Sequence, residues 1–138
     1  MSESGRNLDR CSTSPNCVCS EFAADPGFVE PFVCCGSIEE EWLRLTTIIQ
    51  AFPRTRLIEQ TPERLKAECR TRICQFVDDV EFRLDRAAGR IHVRSSSRLG
   101  RWDLGKNRRR VETLRRLWNV DSNRAGWTKE TSCVVIPT

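Results

Sequence analysis

Histidine and lysine are nearly missing from this chain. His92 is the only histidine, and lysine supplies three of the 23 basic residues, the other 20 being arginine. With one imidazole and no CxxC knuckle, the ligand set of a zinc finger is not there. Long apolar runs are missing too: none approaches the ~20 residues of a bilayer-spanning helix. The opening residues, MSESGRNLDR, contain no apolar h-region of a secretory signal. A cytoplasmic protein with reduced thiols is therefore the expectation. Neither GxxxxGK(S/T) nor GxGxxG occurs, which removes the Walker and dinucleotide-binding readings. No RNP or helix-turn-helix signature occurs either.

What is present is an ordinary globular composition. Hydrophobic residues make up 38% and charged residues 30% of 138 residues, enough for one domain with its own core and too apolar for disorder. The net charge of +4 is unevenly placed: residues 1–53 carry 3 basic and 8 acidic side chains, and residues 54–138 carry 20 and 11. A basic pole of this kind suits an anionic ligand, nucleic acid or the protein's own acidic face. The arginine bias adds planar forks that match carboxylates and phosphates.

The expected domain organisation is a disordered tail over residues 1–10, one α+β domain over 11–120 and a C-terminal extension over 121–138. The segment CSTSPNCVC has a Ser-Pro-Asn turn, so Cys11 and Cys17 flank a tight loop. A disulfide between them is sterically conceivable, and Cys11, Cys17 and Cys19 come nearest to a metal-ligand set, although no metal or other cofactor is expected. Phe28–Cys34 is apolar and extended, with Pro31 restricting it to an edge strand or connector. Ser37–Phe52 reads as a helix with a Ser37/Glu40 capping box, acidic residues Glu39–Glu41 at its positive end, and Ile38, Trp42, Leu45, Ile49 and Phe52 as one apolar stripe. Pro53 ends it.

Four strands follow, at Arg56–Gln60, Leu65–Ile73, Val77–Asp85 and Arg90–Arg98. Their period-two alternation gives an antiparallel meander with one packed and one charged face. DRAAG, ending at Gly89, is a hairpin loop. Asn107–Asn119 is the second helix, with Val111, Leu114, Leu117 and Trp118 as its stripe and Asp103 or Asn107 as its cap. The basic residues Lys106–Arg110 oppose the helix dipole unless an anion offsets them. Cys133–Ile136 is a further apolar stretch, an edge strand or a tail. The fold class is α+β: a four-stranded or slightly larger antiparallel sheet with two helices on one face, in the order (β)-α-β-β-β-β-α.

The stretch SSSRLGRWDLGKNRRR, Ser95–Arg110, joins the last strand to the last helix and concentrates charge, two glycines and Trp102. A loop opening into a helix start is an anion-binding arrangement. Asp79, Arg94, Arg98, Trp102, Asp103, Asn107, Arg108 and Arg110 form the candidate binding set. Two architectural roles compete with binding: Arg98–Asp103 pairing to close the loop, and a buried Asp78–Arg pair tying strand to loop, since Asp78 and Asp79 point to opposite faces. On the charged face, cross-strand ion pairs account for most of the remaining residues.

Four stretches carry a family resemblance. They are the Cys11…SPNCV loop, FPRTRLIEQ at Phe52–Gln60, FVDDVEF at Phe76–Phe82, and IHVRSSSRLGRWDLGKNRRRVETLR at Ile91–Arg115. Over roughly residues 11–118 the chain resembles the bacterial and chloroplast family called domain of unknown function 1499. Members usually have other residues where this chain has Cys19, Cys34, Cys35, Cys69 and Cys74, which weakens a many-thiol metal site. The resemblance implies no known reaction, cofactor or substrate.

From the residues, the expected function is a non-catalytic ligand- or partner-binding domain, its partner a small anionic ligand or an acidic protein. The alternatives are a small enzyme using Asp79, Glu81 and His92, and a nucleic-acid binder using Arg108–Arg110 on phosphates with Trp102 stacking a base.

Overall fold

A computed structural model describes residues 6–11, 15–72, 75–99 and 105–124, the last four as backbone only. Eight elements follow in chain order: β1 (Cys17–Cys19), β2 (Phe32–Val33), α1 (Ile38–Ala51), β3 (Thr55–Gln60), β4 (Arg64–Arg70), β5 (Val77–Asp85), β6 (Arg90–Ser97) and α2 (Lys106–Arg124). The fold is α+β, with two helices and a six-stranded antiparallel sheet in the order β1-β6-β5-β4-β3. Strand β2 also pairs with β6, so two short strands share its outer edge: β1 opposite Ser96–Arg94 and β2 opposite Ile91–Arg90.

The four long strands lie where alternation places them. Gly89 takes the positive φ that the β5–β6 hairpin needs. Helix α1 is capped by Ser37, whose hydroxyl accepts from the Glu40 N–H. No Gly or Pro falls within residues 106–125, so nothing stops α2 at Asn119 and it runs on to Arg124. Leu117 is 40% exposed, because the buried stripe of α2 is Asn107, Val111, Leu114 and Trp118, at i, i+4, i+7 and i+11. Leu117 is one position off that line, and its first member is polar. The expected Ile73 end of the β4 strand, the Asp103 cap and the Cys133–Ile136 strand lie outside the described residues.

The helices cover one face. Leu65, Ala67 and Cys69 of β4, Val80, Phe82 and Leu84 of β5, and Ile91 and Val93 of β6 meet Trp42, Leu45 and Ile49 of α1 and Val111, Leu114 and Trp118 of α2. Phe32 is at the centre, with its ring 5.9 Å from Phe82 and 5.3 Å from Trp118. The FVEPFVC segment thus supplies a core residue from an edge strand.

The opposite face is not left wholly to solvent. Val18 of β1 belongs to the main core, so its neighbours Cys17 and Cys19 point the other way. There they join Leu8, Cys11 and Phe22 in a second apolar cluster. Leu8, in the expected disordered tail, is 2% exposed. Among the described residues, 6–11 and 20–22 form a strap across the charged face.

Candidate functional site

The residues of the expected site separate into groups on the two sides of the sheet. On the helix side, Asp78 is fully buried. Arg110 Nη2 donates to its Oδ2 at 2.7 Å, and Lys106 Nζ lies 3.2 Å from the same oxygen. Arg110 Nη1 donates to Asn107 Oδ1 (2.7 Å) and Ser95 Oγ (3.1 Å). Asn107 Oδ1 also accepts from Ser95 Oγ at 2.6 Å, and its amide donates to Ser97 Oγ (2.9 Å) and Asn16 O (3.0 Å). Gly105 precedes the helix with a φ of 78° and its carbonyl accepts from the Arg109 N–H. The anion that offsets the basic start of α2 is thus the protein's own Asp78, delivered by β5. Ser95, Asn107 and Arg110 lock the last strand to the last helix.

Arg108 faces elsewhere. Its guanidinium donates to the carbonyls of Phe28 (3.0 Å) and Pro26 (3.4 Å). Arg115 likewise reaches Pro31 O and Glu30 O and lies over the Phe32 ring. Trp102 and Asp103 lie outside the described residues.

On the charged face, Arg98 donates to both oxygens of Asp79, each at 2.9 Å, and to Glu68 Oε2 at 2.8 Å. These carboxylates raise the Arg98 pKa, and Arg98 in turn holds Glu68 below its ordinary range. Arg56 reaches the other oxygen of Glu68 at 3.3 Å. Arg94 lies 3.5 Å from Glu81 and donates to Ser96 Oγ at 3.1 Å. The cross-strand lattice expected of this face is present at this end of it.

Beneath the strap is a network that local pattern does not announce. Arg83 donates to Glu21 at 2.6 and 3.0 Å, and Glu21 also accepts from the Leu8 N–H. Ser20 Oγ is 2.9 Å from His92 Nδ1, while His92 Nε2 is 3.7 Å from Glu21. The Val93 N–H donates to Ser20 Oγ, leaving the hydroxyl proton for a neutral His92. Burial pushes the Glu21 carboxyl up, but Arg83, the Leu8 N–H and His92 more than offset it, and it rests below its ordinary range. Burial lowers His92, with Glu21 opposing only in part. Ser20 lies 72 residues from His92, and nothing in either segment taken alone signals the pairing.

The cysteines follow the same division. Cys11 and Cys17 form a disulfide inside the strap cluster, and Cys35 is also disulfide-bonded. Fully reduced thiols, the expectation from the chain's opening residues, do not describe it. Cys19 and Cys69 are buried thiols raised by desolvation, and burial pushes Cys34 up to about 11. Such thiols are poor nucleophiles and poor ligands at neutral pH.

Three further arginines were missed. Arg54, Arg70 and Arg72 are exposed at the end of the sheet where Arg98 stands, and among the described residues no carboxylate pairs with them. The Arg70 N–H donates to Arg54 O, which sets these two side by side on β4 and at the start of β3. The available signal was the tripeptide Arg-Thr-Arg, which occurs at 54–56 and again at 70–72. Phe76 and Leu99 are exposed at the same end.

These features define an α+β domain in which the buried Asp78 and the shielded Glu21 are each paired with arginine, and in which Arg54, Arg70 and Arg72 stand exposed at one end of the sheet with no carboxylate partner among the described residues. The chain belongs to the family described as "Protein of unknown function (DUF1499)", which matches residues 7–117 and so takes in Leu8 and Glu21, all of α1, and α2 as far as Leu117. Neither the curated proteins nor the solved structures compared with it give a match.

Proposed function

We propose that this protein is a non-catalytic binding domain that takes an anionic partner at the sheet end carrying Arg54, Arg70, Arg72 and Arg98. The observation behind this reading is that three exposed guanidiniums, Arg54, Arg70 and Arg72, have no carboxylate partner among the described residues, beside an Arg98 already paired with Asp79 and Glu68. Arginine in such a place presents its fork to carboxylate or phosphate without first breaking an ion pair. Of the residues expected from sequence, Arg98 and Asp79 belong to this end, where Arg98 also orders Glu68 between the strands. Arg94, Asn107, Arg108 and Arg110 act in the frame that holds it.

The non-catalytic part of the reading is supported by where the acid–base groups are. Asp79 has both oxygens on Arg98, and His92 is enclosed against Ser20 and Glu21. A working acid–base pair needs access to a substrate proton.

The test is titration of a fluorescein-labelled hexaglutamate peptide at low and physiological salt. The protein is expected to bind it in a salt-dependent manner, and Arg54→Gln/Arg70→Gln/Arg72→Gln to weaken binding by about tenfold or more, the equivalent of ~1.4 kcal/mol. Wild-type protein that fails to bind, or a triple variant that binds as well as wild type, overturns the reading.

A further inference from the structure

We propose that the anionic partner at this sheet end is a bilayer surface, met with Phe76 and Leu99 foremost; this rests on the anionic-site reading above. Phe76 and Leu99 are placed by the sheet's register. Asp78 pairs with Ser97, and the Arg98 N–H donates to Val77 O at 3.3 Å, so Phe76 and Leu99 occupy the next facing positions beyond the ladder. The Thr71 N–H donates to Phe76 O at 2.8 Å and ties this pair to the β4 side. Phe76 is 46% and Leu99 65% exposed, two large apolar side chains at a rim with no core to enter.

One step back along the strands is a row of different chemistry. Arg54, Arg70, Val77 and Arg98 lie side by side across β3, β4, β5 and β6, joined by the Arg70–Arg54, Arg70–Val77 and Arg98–Val77 backbone pairings. One strand residue advances ~3.3 Å, so the apolar pair stands about that much farther out than the arginine row. Arg72 is in the β4–β5 turn at the rim. The carboxylates here, Glu68 and Asp79, are already neutralised by Arg56 and Arg98.

That depth order matches a membrane interface. Apolar tips enter the acyl boundary, and guanidiniums set slightly back meet headgroup phosphates while their stems cover apolar surface. The row crosses four strands, about 15 Å at ~4.8 Å per strand. A single small anion cannot meet all of it, whereas an anionic surface can. An acidic peptide satisfies the arginines and leaves Phe76 and Leu99 in water. No helix among the described residues is long and apolar enough to cross a membrane, so this contact is peripheral.

The experiment is co-sedimentation of the full chain with vesicles of phosphatidylcholine alone, and of phosphatidylcholine mixed with phosphatidylglycerol, beside the hexaglutamate titration. Binding is expected only to the mixed vesicles and is expected to weaken with salt. Phe76→Ser/Leu99→Ser should lower vesicle binding by about tenfold and leave peptide binding and the melting temperature unchanged. Arg54→Gln/Arg70→Gln/Arg72→Gln should lower both, vesicle binding on the order of a hundredfold. Peptide binding without vesicle binding overturns the bilayer proposal and leaves the anionic-site reading standing; failure of both removes both. Vesicle binding unaffected by Phe76→Ser/Leu99→Ser overturns the apolar insertion, and preference for single-stranded RNA over mixed vesicles overturns the bilayer as partner.

Discussion

Asp78 and Asp79 are neighbours in the chain and live in opposite conditions. Asp78 faces the helices, is sealed from water, and meets Arg110 and Lys106 in a network that includes Ser95, Ser97, Asn107 and Asn16. Asp79 faces the charged side, where Arg98, 47% exposed, bridges it to Glu68. Both aspartates are paired with arginine, yet only the buried pair has no water to fall back on. Burial, more than the presence of an ion pair, determines how much each pair matters to the fold. The charged face also contains a second regime beneath the strap, where Glu21, Arg83 and His92 are shielded almost as well as Asp78.

The comparison is most exposed to failure at Asp78. Asp78→Ala leaves the largely buried Arg110 without its carboxylate and is expected to destabilise the fold by about 3–5 kcal/mol, read from urea unfolding. That is a large part of the ~5–15 kcal/mol a domain usually has. A loss no larger than that at Asp79 would mean that burial does not separate the two faces.

The strap is tested by pH. His92 is held below its ordinary value of 6.5, so on acidification the unfolded chain takes up this proton before the folded protein does. Stability is therefore expected to fall as the pH drops below about 6.5 and through the folded value. Glu21, also depressed, adds to the loss only at lower pH, as the pH falls from its ordinary 4.5 through its folded value. Melting curves of His92→Gln should be flatter than wild type between neutral pH and the carboxylate range. An unchanged slope would remove His92 as the titrating group.

The smallest effect is expected at Arg98. Arg98→Ala breaks two exposed ion pairs and should leave the midpoint of the same urea experiment close to that of the wild type. A cost equal to that of Asp78→Ala would show that the lattice, and not the buried network, holds the last strand in place.

Much of this was legible in the sequence because it depends on local periodicity. Val80, Phe82 and Leu84 alternate with Asp79, Glu81 and Arg83 whatever lies above them, and the four long strands and two helices follow from such patterns. The buried Asp78–Arg pair was legible too, since parity alone sends Asp78 inward. Leu117 was misplaced because a stripe beginning at a polar residue, Asn107, hides its true phase. Glu41 was read with Glu39 and Glu40 as an acidic complement to the helix dipole; it is buried, pairs with Arg44 and accepts from the Cys35 N–H. Strand β1 was too short, at three residues, to show a period.

By itself the sequence determined the α+β class, the faces of β4, β5 and β6, the Ser37 cap, the Gly89 turn and the excess of arginine in the second part of the chain. Each depends on chemistry within a few residues. Only the tertiary structure decided which arginines are matched. It took Arg110 to Asp78 and Arg83 to Glu21, laid Leu8 and Phe22 over the charged face, and set Arg54 beside Arg70 with no carboxylate paired to either among the described residues. The physical reason is that an ion pair is worth what its surroundings make it worth. Those surroundings are assembled from segments tens of residues apart.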